Sequence, residues 1–332
     1  MFKMGQQGKG ERFVSNPDLE EVSRLMSATW QRPCWEYTSD ILRCYINRPS
    51  GDVSLSLGLY YDDELAGYLC YVPYQILYRG NQYPAVYGTW WTASQAFRGQ
   101  SVAMKLQKEL LGRAREKGVA GLFTVTHHGT LADRANKAVF GLLHESFQLK
   151  NTFRQMMAVP RMIRRRIQGS QSPHTCLYHA DYREQCLELL DSNSRQLDVC
   201  FMAVAEDIDF LLKDRPLAQT WIWADSGRVL GLINVVRKRY FDQRDTVNAY
   251  VEHMAFSGMT SSQIREFLFT VFMDAYWDSI DAVCIPDTGY FDRDLFSSIG
   301  FRRSQRQFSL YHIPLDKRLE IEELSSFYVN VF

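Results

Sequence analysis

The chain has 332 residues, 46% hydrophobic and 23% charged, the balance of a soluble globular protein rather than a disordered one. Lysine plus arginine and aspartate plus glutamate each number 38, so no global field draws it to nucleic acid or an acidic membrane. Its length exceeds one ordinary core and suits two domains, and its seven scattered cysteines, with no C-x-x-C pair, argue for reduced thiols and against a zinc site.

In chain order, "MFKMGQQGKGERFVS" lacks the apolar core of a signal peptide, and residues 1–14 are expected to be a flexible N-terminus. No apolar run is long enough to span a bilayer, which with the cysteine usage points to a cytoplasmic protein. "DLEEVSRLMSATW" (18–30) reads as a helix, and "LYYDDELAGYLCYV" (59–72) as a β-hairpin with Gly67 entering its second strand. There follow a strand (84–93), an amphipathic helix (about 100–116), a strand (121–127), a short helix ending in "HESFQL", and a strand "TFRQMMAVP". "VPRMIRRRIQGSQSP" (159–173) then reads as an exposed, solvated connector, although Arg161, Arg164, Arg165 and Arg166 could also meet a phosphate or an anionic surface.

Beyond the connector the order repeats. A helix (180–194), a hairpin (221–236, with Gly231), a strand (247–256), a helix (260–276), a strand (280–285), a short helix before "SSIGFRR" and a strand "RQFSLYHIP" follow in turn. Helix, hairpin, strand, helix, strand, helix, strand, twice over, argues for an α/β (α+β) duplication, each copy a mixed central sheet flanked by helices. The expected boundaries are 15–158 for the first domain, 159–174 for the linker and 175–332 for the second.

Between the strand at 84–93 and its helix stands Arg98-Gly99-Gln100-Ser101-Val102-Ala103. Free amides at a helix N-terminus hold phosphate. Strand, this turn and a long helix resemble the acyl-CoA-binding signature Arg/Gln-x-x-Gly-x-Gly/Ala of the GNAT superfamily of N-acyltransferases, and the whole element order is similar to a tandem GNAT fold. The resemblance implies that the first domain binds acetyl-CoA or another acyl-CoA as co-substrate, with no metal. It places the cofactor on Arg98 to Ala103, beside Thr92 and Ala93, with pantetheine between the strands at 84–93 and 121–127. In the second copy, "FSGMTSSQIREF" (256–267) lacks the arginine and most of the glycines, so that loop is degenerate. Ser101 departs from the motif's first glycine. A serine there is expected to cap the helix and to do harm only if the position needs a positive φ.

Acyl transfer to an amine requires a base, an oxyanion donor and protonation of the leaving thiolate. The resemblance puts the oxyanion donor on a backbone amide near Thr89–Thr92. "AVYGTWWTA" offers no carboxylate, so His127 and His128, at the exit of the next strand, are candidate bases alongside Glu252 of the second copy. The family's usual acid, a tyrosine, is replaced by Leu142. The expected acceptor is a small-molecule or peptide amine, and oligomeric state is left open. The alternatives are a non-catalytic acyl-CoA-binding or scaffolding protein, and a related tandem transferase of long-chain acyl or aminoacyl groups. The long-chain case draws notice to the ending "SSFYVNVF" (325–332), because N-myristoyltransferases use a C-terminal carboxylate.

Overall fold

The computed structural model describes residues 10–30, 32, 34–167 and 169–329. Residues 1–9 of the N-terminal segment, Gln168 of the connector and the final 330–332, with the C-terminal carboxylate considered above, lie outside the described residues. The first repeat runs β1 (Glu11–Ser15), α1 (Leu19–Thr29), β2 (Cys34–Trp35), α2 (Ser39–Ile46), β3 (Ser56–Tyr61), β4 (Glu64–Tyr78), β5 (Asn81–Ala93), α3 (Val102–Glu116), β6 (Gly121–His127), α4 (Leu131–Leu142) and β7 (Gln148–Ala158). After α5 (Pro160–Arg166) come β8 (Thr175–Leu177), α6 (Arg183–Ser194), β9 (Val199–Phe201), β10 (Ala218–Asp225), β11 (Arg228–Phe241), β12 (Asp245–Phe256), α7 (Ser261–Met273), β13 (Ala282–Asp287), α8 (Arg293–Ser298), β14 (Arg302–Pro314) and β15 (Phe327–Tyr328).

Strand alternation assigns the two faces of the first sheet. Tyr68, Cys70 and Val72 of β4 point to α1 and α2, against Val22, Met26, Leu42 and Ile46. Leu69 and Tyr71 point the other way, against Leu106, Leu110 and Leu111 of α3. In the second repeat α6 lays Cys186, Leu189 and Leu190 on Ile222, Leu232 and Ala255.

The two repeats do not close into separate sheets. The strand order is β1-β3-β4-β5-β6-β14-β7-β13-β12-β11-β10-β8, so each repeat's last strand lies beside the fifth major strand of the other. β14 runs antiparallel to β6 from Phe308↔His127 to Pro314↔Gly121, and β7 antiparallel to β13 from Ala158↔Val283 to Arg154↔Asp287. The boundaries at 158 and 175 therefore separate the repeats in sequence, not the sheets in space.

Two further expectations change. Residues 11–14, counted with the flexible terminus, pair with β3 from Glu11↔Tyr61 to Val14↔Gly58, because a free sheet edge is available to them. The connector contains α5, which buries Pro160 and Ile163. Arg164, one of its basic cluster, donates Nε to Phe272 O at 2.6 Å and pairs with Asp278 at 2.7 Å. Arg161, Arg165 and Arg166 remain exposed.

Candidate functional site

β5 ends at Ala93, and one tight turn, Gln95–Phe97, leads through Arg98, Gly99, Gln100 and Ser101 into α3. The Gln100 amide donates to Phe97 O at 3.2 Å, and the first helical bond is Lys105 N to Ser101 O at 2.9 Å. The amides of Ser101, Val102, Ala103 and Met104 thus precede the helical ladder, at the positive end of the helix dipole. Arg98 to Ser101 are exposed, and Arg98 has no ion pair among the described residues. Gly99 has φ 90° and Ser101 φ 57°. The expected capping role of Ser101 fails: its side chain makes no capping bond. A capping hydroxyl needs an extended backbone at its residue, and Ser101 is left-handed.

The turn is held from below. A Cβ on Gly67 would come within 2.4 Å of Val102 Cγ1, so only glycine lets α3 start this close to β4. Phe97 stacks on Tyr61 at 5.1 Å, and Lys105 donates to Tyr61 Oη at 2.8 Å and Glu11 Oε2 at 2.6 Å. In the second repeat Gly231 plays the part of Gly67, a Cβ there lying 2.8 Å from Met259 Sδ. The turn above it is closed, however. The Gln263 amide donates to Thr260 Oγ1 at 3.3 Å and the Thr260 amide to Gln263 Oε1 at 2.8 Å, a reciprocal capping box.

Beside the open turn the sheet splits. β5 and β6 pair in parallel only from Ala85↔Gly121 to Tyr87↔Phe123, although β5 continues to Ala93 and β6 to His127. Thr124 Oγ1, donating to Gly88 O at 3.0 Å, spans the first step of the gap. Opposite, the β4–β5 register skips between Tyr68↔Thr92 and Cys70↔Thr89, so β5 bulges at Trp90 and Trp91. Trp90 carries φ 58°, a costly conformation for a bulky residue. Thr92, expected beside the cofactor, is buried and donates its hydroxyl to Trp90 O at 3.0 Å, which makes it a lock on the bulge. Ala93 is half-buried against the α3 core. A bulge next to an unpaired stretch of strand frees backbone amides from the ladder, the kind of donor an oxyanion needs.

Residues 12–134 match the acetyltransferase (GNAT) domain family. That stretch, the first repeat up to the start of α4, carries a GNAT acetyltransferase domain. No curated protein sequence matches the chain. In fold it is similar to N-myristoyltransferase of Saccharomyces cerevisiae with bound myristoyl-CoA, at TM-score 0.75 and 11% identity over 97% of this chain and 89% of that one. A GCN5-related N-acetyltransferase from Anabaena variabilis follows at TM-score 0.62 and 12% identity, covering 94% of this chain and 75% of that one. A probable N-acyltransferase from Enterococcus faecalis has TM-score 0.59 and 12% identity, with 92% and 73% covered. At such identities the likeness is one of fold. It is the tandem α/β arrangement expected from the duplicated element order.

Within this GNAT architecture the three candidate bases fall in different surroundings. His127 is half-buried between Phe308, at 4.4 Å, and Trp35, at 6.1 Å. Burial, reinforced by the Arg306 charge, pushes its pKa down to about 4, so it is neutral and weakly basic near pH 7. His128 points to the other face, its Nδ1 2.8 Å from Ser309 Oγ on β14. Glu252 is not an available base. It sits in a second bulge, where the β11–β12 register skips between Asn234↔His253 and Val235↔Val251. Its buried carboxylate takes two bonds from Arg215, at 2.5 and 2.6 Å, and lies 3.7 Å from Lys238. Burial alone would raise its pKa, but Arg215 and then Lys238 outweigh that and hold it below the usual value.

Sequence reasoning missed the residue that joins the two bulges. Tyr45 of α2 packs its ring on Trp90 at 5.4 Å. Its hydroxyl accepts from Arg215 and from Lys238, each at 2.7 Å. Burial, with Arg215 adding to it and Glu252 opposing it, brings the Lys238 pKa down to about 7. No local signal announces this cluster, because Tyr45 and Arg215 are 170 positions apart. Leu142, in the place of the family's tyrosine, is an exposed residue of α4. Among the described residues no group of three or more His, Cys, Asp or Glu could hold a metal ion, and no helix is long and apolar enough to cross a membrane.

Proposed function

We propose that this protein transfers a short acyl group, acetyl first, from acyl-CoA to an amine. The CoA pyrophosphate would rest on the amides of Ser101 to Met104 with Arg98 beside it. Pantetheine would fill the gap between β5 and β6, and a bulge amide at Trp90 or Trp91 would donate to the oxyanion. The observation that carries this reading is the contrast between the two turns: the first keeps its amides open, whereas the second satisfies its own with Thr260 and Gln263. Short acyl groups are favoured because Trp90, Tyr37 and Tyr45 pack around the bulge, and neither of the two cavities, one between the repeats and one within the second, is lined by Trp90 or Trp91. Of the two histidines, His128 is the candidate to receive the proton, since Ser309 holds its Nδ1 and Nε2 has no hydrogen bond among the described residues.

Calorimetric titration with acetyl-CoA, CoA and myristoyl-CoA, for the natural chain and an Arg98→Glu variant, tests the reading. Saturable acetyl-CoA binding, weakened at least tenfold in the variant, is expected; myristoyl-CoA bound far more tightly than acetyl-CoA would move the protein to the long-chain transferases. Release of CoA thiol above background with amines separates the enzyme from an acyl-CoA-binding scaffold. The clamped Glu252 and the missing tyrosine favour the scaffold as the second reading.

A further inference from the structure

A cavity of about 400 Å³ lies between the repeats, near the start of β5 rather than at the phosphate turn. Its inner wall includes Tyr74 and Phe201, stacked at 4.6 Å. Phe201 also packs edge-on against Phe123 at 5.4 Å and Tyr87 at 6.2 Å, the last rung that pairs β5 with β6. The cavity therefore ends under the point where the two strands part, and one phenyl ring separates it from the gap.

Its chemistry is selective. Of the two cations that line it, Arg48 is paired with Asp207 at 3.6 Å and Lys117 with Asp52 at 2.8 Å. Glu206, exposed at the rim, has no ion pair among the described residues, so the lining carries three carboxylates against two cations. Such a wall repels an anion and draws an ammonium. Pro73, Ala85 and Leu211 add apolar surface for a hydrocarbon body. His253 also lines it, with Nδ1 3.1 Å from Tyr328 Oη and Nε2 without a hydrogen-bond partner. Burial, against the pull of Glu252, keeps that imidazole neutral with a pKa of about 4. It suits an uncharged amine, the nucleophilic form.

The geometry points to this cavity as the acceptor site, and to a compact primary amine with an apolar body as its occupant. This rests on the acyl-transfer reading above. The amine nitrogen would attack the thioester carbonyl emerging from the gap, forming the C–N bond as the C–S bond breaks. The bound ammonium first gives up one proton, by way of His128 to solvent, and the second proton shed by the nitrogen as the amide forms goes to the departing sulfur, so that CoA leaves as its thiol.

The test uses the full chain and two probes that share a phenylethyl body and carry opposite charge, phenethylamine and 3-phenylpropanoate, titrated by calorimetry with and without saturating CoA. Saturable phenethylamine binding and no phenylpropanoate binding are expected. Glu206→Lys at the rim should weaken the amine about fivefold, and Val204→Trp, which fills the cavity from its half-buried edge, should abolish it. Equal binding of both probes, an amine affinity unchanged by Val204→Trp, or no amine binding in either state would overturn the assignment. So would myristoyl-CoA competing with phenethylamine where CoA does not, which would give the cavity to an acyl tail. If the amine binds with these controls but acetyl-CoA does not bind at all, the amine site stands and the acyl-transfer reading fails.

Discussion

Ser101 offers a measurement in which the two roles of a loop serine predict opposite results. A serine that caps a helix loses about 0.5–2 kcal/mol when changed to alanine. Ser101 has φ 57° and no capping bond, so Ser101→Ala should leave stability within about 0.5 kcal/mol of the parent. Ser101→Gly should act through the backbone instead. Removing the Cβ from a left-handed residue releases about 1–2 kcal/mol. The added freedom of glycine in the unfolded chain returns about 0.5–1 kcal/mol of that. The net expectation is a gain of about 0.5–1 kcal/mol, or roughly 1 °C in Tm for a chain of this size. Urea denaturation of the three proteins measures both differences. Thr260→Ala, which opens the capping box of α7, serves as the positive control and should cost about 1 kcal/mol. A loss above 1 kcal/mol in Ser101→Ala, or no gain in Ser101→Gly, would refute the left-handed, uncapped turn, and with it the claim that its amides stand open.

Further outcomes follow from the same geometry. Glu252→Gln should destabilise the fold by about 3–5 kcal/mol, because Arg215 and Lys238 would be left buried without their counter-charge; a variant of unchanged stability under urea would contradict the clamp. Lys238 keeps its proton only to about pH 7 when folded but to about 10.5 when unfolded, so the unfolded state binds more proton between those values. Stability measured against pH should accordingly rise from pH 7 to 10 in the parent relative to Lys238→Met, and parallel profiles would reject the shift. Arg98→Glu should lower CoA affinity at least tenfold yet leave Tm unchanged, since Arg98 is exposed and unpaired among the described residues. His128→Gln should slow CoA thiol release and alter its pH profile, whereas His127→Gln should leave that profile alone; the reverse would exchange their roles.

By itself the sequence determined most of what depends on near neighbours, although α2 and the α5 segment of the connector escaped it. Hairpins, helices and their order follow from periodicity and turns, so the duplication, and through it the tandem GNAT architecture, is legible from residues a few positions apart. The turn before α3 is legible for the same reason, and Gly67 marks where that helix must crowd β4, as Gly231 marks where Met259, just ahead of α7, crowds β11. Whether a turn is open or closed was not legible. Ser101 and Thr260 are both good capping residues in composition, and only their backbone angles separate them, φ 57° against φ −73°. The tertiary structure also decided where β7 and β14 go, since a strand's hydrogen-bonding edges carry no record of sequence distance and each repeat offers the other an equivalent place. It turned Glu252 from a candidate base into half of a buried ion pair, because a charge shut away from water must find its partner wherever the chain brings one, and here that is Arg215 across the strands and Tyr45 from the other repeat.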